Sequence, residues 1–117
     1  MIKYGSKELA LLNIQVGCVL KLARLEKGIS QETLGISLFS DKTKIARLER
    51  YEHSTSWDTI YSVCQELDFD FYSLFILKSK KDILAIVERC IELDKKTNKI
   101  KQAYYERLKE TISNFKV

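Results

Sequence analysis

Residues 30–50 decide the fold of this chain, and they read SQETLGISLFSDKTKIARLER. Ser30 can cap a helix that runs from residue 31 to about residue 38. After a tight break at residues 39–41, which offers Ser40 or Asp41 as a cap, a second short helix runs over residues 42–51. Each helix has only two inward apolar side chains, so neither can bury itself alone. Two short helices with so brief a break predict a helix-turn-helix. The inward apolar residues are Leu34, Leu38, Ile45 and Leu48.

The flanking sequence supplies the helices on which this pair must pack. A long helix over residues 8–27, which Asn13 can interrupt, ends at the expected stop signal Gly28. A fourth helix spans residues 57–67, and a short apolar helix follows over residues 71–77. The pattern therefore predicts an all-α domain of five helices over residues 8–77.

The third helix presents a surface with the chemistry of a DNA contact. Four of its five outward residues are cationic, and all five can donate hydrogen bonds. A major groove offers base-edge acceptors between flanking phosphates, and this surface complements both. The five residues are Lys42, Thr43, Lys44, Arg47 and Arg50.

Residues 20–75, about half of the chain, resemble the phage repressor and Cro-like (XRE-type) helix-turn-helix domain. The family pattern has an Arg in the first helix, a Gly, Ser-Gln and a Leu at the second helix, an Ile and a Glu in the third, and a Leu-rich fourth helix. The resemblance implies a lambda-repressor-like fold. The matching residues are Arg24, Gly28, Ser30, Gln31, Leu34, Gly35, Ile45, Glu49, Ile60 and Leu67.

The resemblance also implies roles for single residues. Gln31 would reach the DNA backbone at the start of the second helix. Lys42, Thr43 and Arg47 would read base edges. The resemblance further implies that Lys44 and Arg50 contact phosphates, and that Arg24 and Glu49 form a structural ion pair.

Some positions depart from the family pattern. Phe39 and Tyr51 stand where the family has glycine, Thr55 stands at a frequent proline, and Gly35 replaces a common alanine. Residues 28–53 contain four Lys or Arg and four Asp or Glu, a local net charge of zero. This balance weakens the electrostatic argument unless some of those acids face away from DNA.

The composition changes at residue 78, and residues 78–117 form a separate C-terminal helical segment in our prediction. Two amphipathic helices are expected, over residues 80–95 and 99–115. The apolar stripe of the last helix predicts a homodimer interface, and the alternative is a hairpin that folds back on the N-terminal core. The stripe consists of Ile100, Tyr104, Leu108, Ile112 and Phe115.

The whole-chain composition narrows the class of protein. The chain has 117 residues, 20 Lys and Arg against 16 Asp and Glu, 4 Gly and no Pro. Such a composition favours one helical domain with an appendage over an all-β fold. Three cysteines without CxxC spacing, no secretory pattern and no long apolar run indicate a cytoplasmic protein.

The sequence thus predicts a sequence-specific DNA-binding transcriptional regulator, a repressor in our interpretation. It would bind a palindromic operator in double-stranded DNA as a homodimer, with no cofactor, metal or membrane partner. No acid pair, nucleophile-base set or glycine-rich phosphate loop is present to indicate an enzyme. The alternative is a protein-binding or antitoxin-like module that uses the C-terminal helices.

Overall fold

The computed structural model describes residues 5–51, 55–95 and 98–116, and within those ranges all regular structure is helical. Six α-helices follow one another, with a short 3₁₀ helix between the fourth and fifth. The all-α prediction is therefore confirmed for the described residues. The elements are α1 (Ser6–Glu26), α2 (Gln31–Ser37), α3 (Lys42–Glu49), α4 (Trp57–Glu66), the 3₁₀ helix Tyr72–Phe75, α5 (Lys80–Leu93) and α6 (Lys99–Asn114).

Helix starts are fixed by side-chain caps that the sequence displays. Ser30 Oγ accepts the N–H of Thr33 at 3.0 Å, and Asp41 Oδ1 accepts the N–H of Lys44 at 2.9 Å. Ser56 and Ser79 cap α4 and α5 in the same way. Each such bond contributes about 1 kcal/mol, because it satisfies a backbone donor that the helix itself cannot.

Helix α1 runs unbroken through Asn13, contrary to the interruption that the sequence allowed. The side chain of Asn13 lies on the exposed side of the helix, so it does not compete for buried backbone groups. The helix ends where expected, at Gly28 with φ of 68°, and the Ile29 N–H donates to the Arg24 carbonyl at 3.2 Å. This left-handed glycine turns the chain into α2.

Two hydrophobic cores share α1. The first core joins α1 to α2, α3, α4 and the 3₁₀ helix around Leu20, Leu34 and Ile45. The second core joins α1 to α5 and α6 around Leu11, Val87 and Ile112. Because opposite sides of one helix serve both cores, the composition change at residue 78 does not mark a break in packing.

The predicted helix over residues 71–77 is shorter in the structure, where only Tyr72–Phe75 is helical, and it is of the 3₁₀ type. The buried side chain of Gln15 explains the difference. Its Nε2 donates to the carbonyls of Leu74 and Ile76, at 3.0 and 2.9 Å, and its Oε1 accepts the Lys78 N–H at 2.7 Å. These bonds satisfy the Leu74 and Ile76 carbonyls and the Lys78 N–H, so the chain can leave the helical conformation here without burying unpaired backbone groups.

The last two helices fold back on α1 as a hairpin. Leu108 and Ile112 are buried in the second core, Tyr104 and Phe115 are half-buried, and Ile100 is exposed. Lys80 Nζ at the start of α5 donates to the carbonyls of Ser113 and Phe115 at the end of α6. The segment therefore adopts the fold-back alternative. Most of the apolar stripe that was expected to form a homodimer interface packs against other helices of the same chain.

Candidate nucleic-acid interface

The backbones of α2 and the α2–α3 turn approach so closely that glycine is required at residue 35. A Cβ added to Gly35 would lie 2.7 Å from the carbonyl carbon of Asp41, closer than real contacts allow. The Ser40 N–H donates to the Gly35 carbonyl at 2.8 Å and closes the turn. The close packing predicted from this mid-helix glycine is confirmed, and it fixes the angle at which α3 leaves α2.

A second glycine lets α1 support the C-terminal end of α3. A Cβ on Gly17 would lie 2.6 Å from the carbonyl oxygen of Glu49 and 3.0 Å from that of Leu48. Ile45 and Leu48 face the same way and are buried in the first core. Helix α3 is thus held along its inner side, and its other side is left to solvent.

Arg24 and Glu49 form the ion pair that the resemblance implied. Arg24 Nε lies 2.6 Å from Glu49 Oε2, and Nη2 lies 3.1 Å from Oε1, so the contact is bidentate. Arg24 Nη1 also donates to the Ile29 carbonyl at 2.8 Å. Both side chains are buried, so this ion pair holds α1 and α3 together inside the protein and is not a surface contact.

Gln31 belongs to the same hydrogen-bond network. The resemblance implied a DNA contact for this residue but not this structural role. Its Nε2 donates to Glu49 Oε1 at 2.9 Å and ties the start of α2 to the end of α3. An amide nitrogen carries two N–H donors, so a second donor remains for a phosphate oxygen. Gln31 therefore stabilises the helix pair whether or not it contacts DNA.

The five outward residues predicted on α3 are all exposed in the structure. With about 100° between successive residues of a helix, Thr43 and Arg47 lie opposite the buried Ile45 and Leu48. Lys44 lies to one side and lines a shallow cleft of about 130 Å³ with Asp58 and Thr59 of α4. Among the described residues, the side chains of Lys42, Lys44 and Arg47 form no ion pair.

The local charge balance of zero does not describe the exposed surface. Glu49 is buried against Arg24, and the Asp41 carboxylate caps α3. Glu32 is exposed near the start of α2, and Glu52 lies outside the described residues. Among the described residues of this segment, four exposed cations, Lys42, Lys44, Arg47 and Arg50, therefore stand against two exposed acids, Glu32 and Asp41.

Both positions where the family has glycine adopt a left-handed backbone here. The φ of Phe39 is 54° and that of Tyr51 is 51°. The ring of Phe39 is fully exposed, at 102%, whereas Tyr51 packs partly against the second core. The backbone geometry at these turns is one that glycine adopts without strain, and side chains occupy it at a steric cost.

Two polar side chains of α1 contact other elements, and these contacts were not predicted from the sequence. Gln15 and Lys21 both occur within the apolar pattern of α1, and a polar residue at an inward position is the signal that could have revealed them. Lys21 Nζ lies 4.4 Å from the centroid of the Tyr105 ring, a cation–π contact between α1 and α6. Burial lowers the pKa of Lys21.

Asp94 organises the bend between α5 and α6. Tyr105 Oη donates to its Oδ2 at 2.8 Å, and Lys101 Nζ lies 3.1 Å from its Oδ1. Burial alone would raise the pKa of Asp94, but hydrogen bonds from Tyr105 and Lys101 outweigh it and leave the pKa below its usual value.

The cysteines are buried thiols. Burial, with a smaller effect of nearby Cys90, raises the pKa of Cys18 to about 12, and burial likewise raises that of Cys64 to about 11. Such thiols are poor nucleophiles at neutral pH.

No group of three or more His, Cys, Asp or Glu side chains in the described ranges is arranged to hold a metal ion. Within the same ranges, every helix is too short or too polar to cross a membrane.

Comparisons with protein-family models, with curated proteins and with solved structures gave no match for this chain.

Proposed function

We propose that the protein is a sequence-specific DNA-binding regulator, a repressor in its simplest form, with a lambda-repressor-like helix-turn-helix. Helix α3 would enter the major groove, with Lys42, Thr43 and Arg47 at base edges and Lys44 and Arg50 at phosphates. Its eight residues span about 12 Å, which is enough to reach only a few base pairs.

The observation that carries this proposal is the contrast between the two sides of α3. One side is fixed by the buried Arg24–Glu49 pair and by the close approach at Gly17. The other side is exposed and cationic, with Lys42, Lys44 and Arg47 unpaired among the described residues. A rigid helix with exposed donors on one side is suited to groove recognition, since it holds them in one geometry before binding.

A homodimer would give this short helix useful specificity. Two-fold symmetry selects a palindrome with half-sites about one helical turn apart, roughly 34 Å. The second copy doubles the number of base pairs read. A single copy would bind DNA mainly through phosphates, with little preference for sequence.

Fluorescence anisotropy with labelled duplex DNA tests the proposal. The protein should bind random-sequence duplexes at low salt, and log Kd should rise linearly with log salt concentration as phosphate contacts are lost. The double variant Lys44→Ala/Arg47→Ala should weaken binding at least about tenfold, while Arg107→Ala, which removes an exposed cation of α6, should not change it. Absence of binding by the parent protein at low salt would refute a DNA-binding function.

The alternative function is a protein-binding or antitoxin-like module that uses the C-terminal helices. The packing of α6 disfavours it in that form, because Leu108 and Ile112 are already buried against α1 and α5. Of the apolar stripe, Ile100 is the residue left largely exposed.

A further inference from the structure

A continuous apolar surface lies on α4 and the 3₁₀ helix, away from the second core. Five aromatic rings touch edge to face: Trp57 contacts Phe75 at a centroid distance of 5.2 Å, and Phe71 contacts Trp57, Tyr61, Tyr72 and Phe75 at 5.2 to 6.4 Å. We call this surface, together with the adjoining Ile76, the aromatic face.

Several side chains of the aromatic face are exposed to an unusual degree. Tyr72 is 80% exposed, Ile76 70%, Trp57 66% and Tyr61 49%. The face continues into a groove of about 350 Å³, where Trp57 and Phe75 meet Leu9 and Leu12 of α1. Isolated apolar residues on a surface are ordinary, but a contiguous aromatic patch beside a groove marks an interaction site.

The exposed area is close to what a stable protein interface needs. A side chain such as Trp or Tyr offers on the order of 200 Å², so the exposed fractions of Trp57, Tyr61 and Tyr72 correspond to roughly 400 Å². Ile76 and Leu9 add further apolar area. A specific interface buries about 800 Å² per partner, about two thirds of it apolar in homodimers.

Charge excludes nucleic acid as the occupant of this face. Residues 55–77 contain four acidic residues, Asp58, Glu66, Asp68 and Asp70, and no Lys or Arg. Phosphates would be repelled from such a surface. In the next residues along the chain, Lys78 and Lys81 are exposed, whereas the Lys80 ammonium is already bound by the carbonyls of Ser113 and Phe115. An acidic margin, formed by the four exposed acids, and a basic margin, formed by Lys78 and Lys81, therefore flank the apolar centre along the chain.

We propose that the aromatic face is the surface on which a second copy of this chain packs, by an isologous contact that opposes the acidic margin of each copy to the basic margin of the other. An isologous contact needs a self-complementary surface, and a patch with an acidic and a basic margin has this property. The inference builds on the dimeric part of the proposed function. It places the dimer contact on α4 and the 3₁₀ helix, not on α6.

Sedimentation velocity without DNA tests the inference. The parent chain should show a reversible monomer–dimer equilibrium, and Tyr72→Asp should raise the dimer Kd by about 30-fold or more, as expected for a central aromatic anchor. The matched control is Ile100→Asp, since Ile100 is equally exposed but lies on α6, and it should leave the Kd unchanged. Circular dichroism would check that each variant folds, and Ile76→Asp replaces Tyr72→Asp if the latter does not.

The parent protein offers a second readout that needs no variant. Trp57 is the single tryptophan of the chain, so its quenching by acrylamide reports on the aromatic face alone. Quenching should fall as protein concentration rises through the dimer Kd, because the partner covers the indole ring.

Three results would overturn the inference: a parent that stays monomeric at high micromolar concentration, unchanged quenching across the dimer transition, or dissociation by Ile100→Asp but not by Tyr72→Asp. The first would assign the face to another protein. Failure of the inference is distinguishable from failure of the proposed function, because self-association is measured without DNA. A dimer that binds no DNA would refute the DNA-binding function and leave the interface standing. A monomer that binds DNA would refute the interface and the dimeric part of the proposed function, but not DNA binding itself.

Discussion

At the scale of single residues, Glu49 links three helices, since it binds Arg24 of α1 and Gln31 of α2 from the end of α3. It accepts from Arg24 through both oxygens and from Gln31 through Oε1. Glu49→Ala would leave the Arg24 guanidinium buried without its partner, and we expect a loss of about 3–5 kcal/mol in the free energy of unfolding. Urea unfolding monitored by circular dichroism would measure it.

The double variant Arg24→Met/Glu49→Leu serves as the control. Removing both charges avoids an unpaired buried ion, so this protein should be more stable than Glu49→Ala by at least about 2 kcal/mol. A double variant no more stable than Glu49→Ala would show that the pair contributes through something other than charge compensation.

A substitution at Phe39 is expected to increase the free energy of unfolding, in contrast to Glu49→Ala. A left-handed backbone costs a residue with a Cβ about 1–2 kcal/mol, and the ring of Phe39 packs on nothing that would offset this cost. Phe39→Gly should therefore raise the free energy of unfolding by about 0.5–1 kcal/mol, after the entropy of a more flexible unfolded chain is subtracted.

Tyr51→Gly is the matched comparison for Phe39→Gly. It relieves the same backbone geometry but removes a ring that packs against the second core, so this protein should be less stable than the parent. The strain explanation would be contradicted if Phe39→Gly also lowered stability in the same urea titration.

At the scale of the elements, the outer side of α3 divides into two kinds of residue. Arg47 lies opposite the buried side. Arg47→Ala should weaken the binding free energy for the best operator by about 1–3 kcal/mol and reduce the protein's preference for that sequence. Lys44 lies at the flank, and Lys44→Ala should weaken binding to all sequences alike and lower the salt slope by about one. Anisotropy titrations on matched and scrambled duplexes at several salt concentrations separate the two effects.

The outcome for each residue has a distinct meaning. Unchanged affinity of Arg47→Ala for the best operator would remove Arg47 from base recognition. An unchanged salt slope for Lys44→Ala would remove Lys44 from phosphate contact, with Arg107→Ala as the neutral reference on α6.

The bend between α5 and α6 should depend on pH through Asp94. Its pKa is lowered in the folded protein from a usual value of 3.8, so its contribution is present above pH 4 and is lost as pH falls through the folded pKa. Asp94→Asn should reduce stability by about 1–2 kcal/mol at pH 7, because the hydrogen bonds from Tyr105 and Lys101 lose their charged acceptor. The difference from the parent should shrink as pH falls below 3.8 and through the lowered folded pKa, and a constant difference over that descent would argue against the ionised carboxylate.

How far the sequence predicts these elements depends on whether the signal is local. Five helices, α2 to α6, begin at the predicted residue, because a cap such as Ser30 or Asp41 acts within one turn. The conformation of residues 71–77 was not predictable from local sequence, since it depends on hydrogen bonds from Gln15, some 60 residues earlier. The same holds for Leu108 and Ile112: their spacing predicts a buried face, but only the fold shows that α1 and α5 cover it.

The candidate interface shows the same division between local and long-range signals. The five outward residues of α3 follow from helical periodicity alone, and the structure exposes all of them. The link from Gln31 to Glu49 and the close approach at Gly17 arise from packing between distant segments, so no local pattern displays them.

At the scale of the whole molecule, the C-terminal hairpin and the pair of helices α2 and α3 both pack on α1, each through its own core. Helix α1 therefore contributes side chains to both parts of the described structure. The net charge of +4 is a weak guide to function beside this arrangement, because the cations of α3 and the acids of residues 55–77 lie on different elements.

Selection of bound sequences from a random duplex DNA pool would show whether α3 recognises a specific DNA sequence. We expect enrichment of a palindrome whose two half-sites are centred about 34 Å apart, roughly one turn of DNA. The Arg47→Ala protein, selected in parallel, should lose preference at specific positions of each half-site. A pool that shows no enriched sequence after selection with the parent protein would contradict sequence-specific recognition by α3.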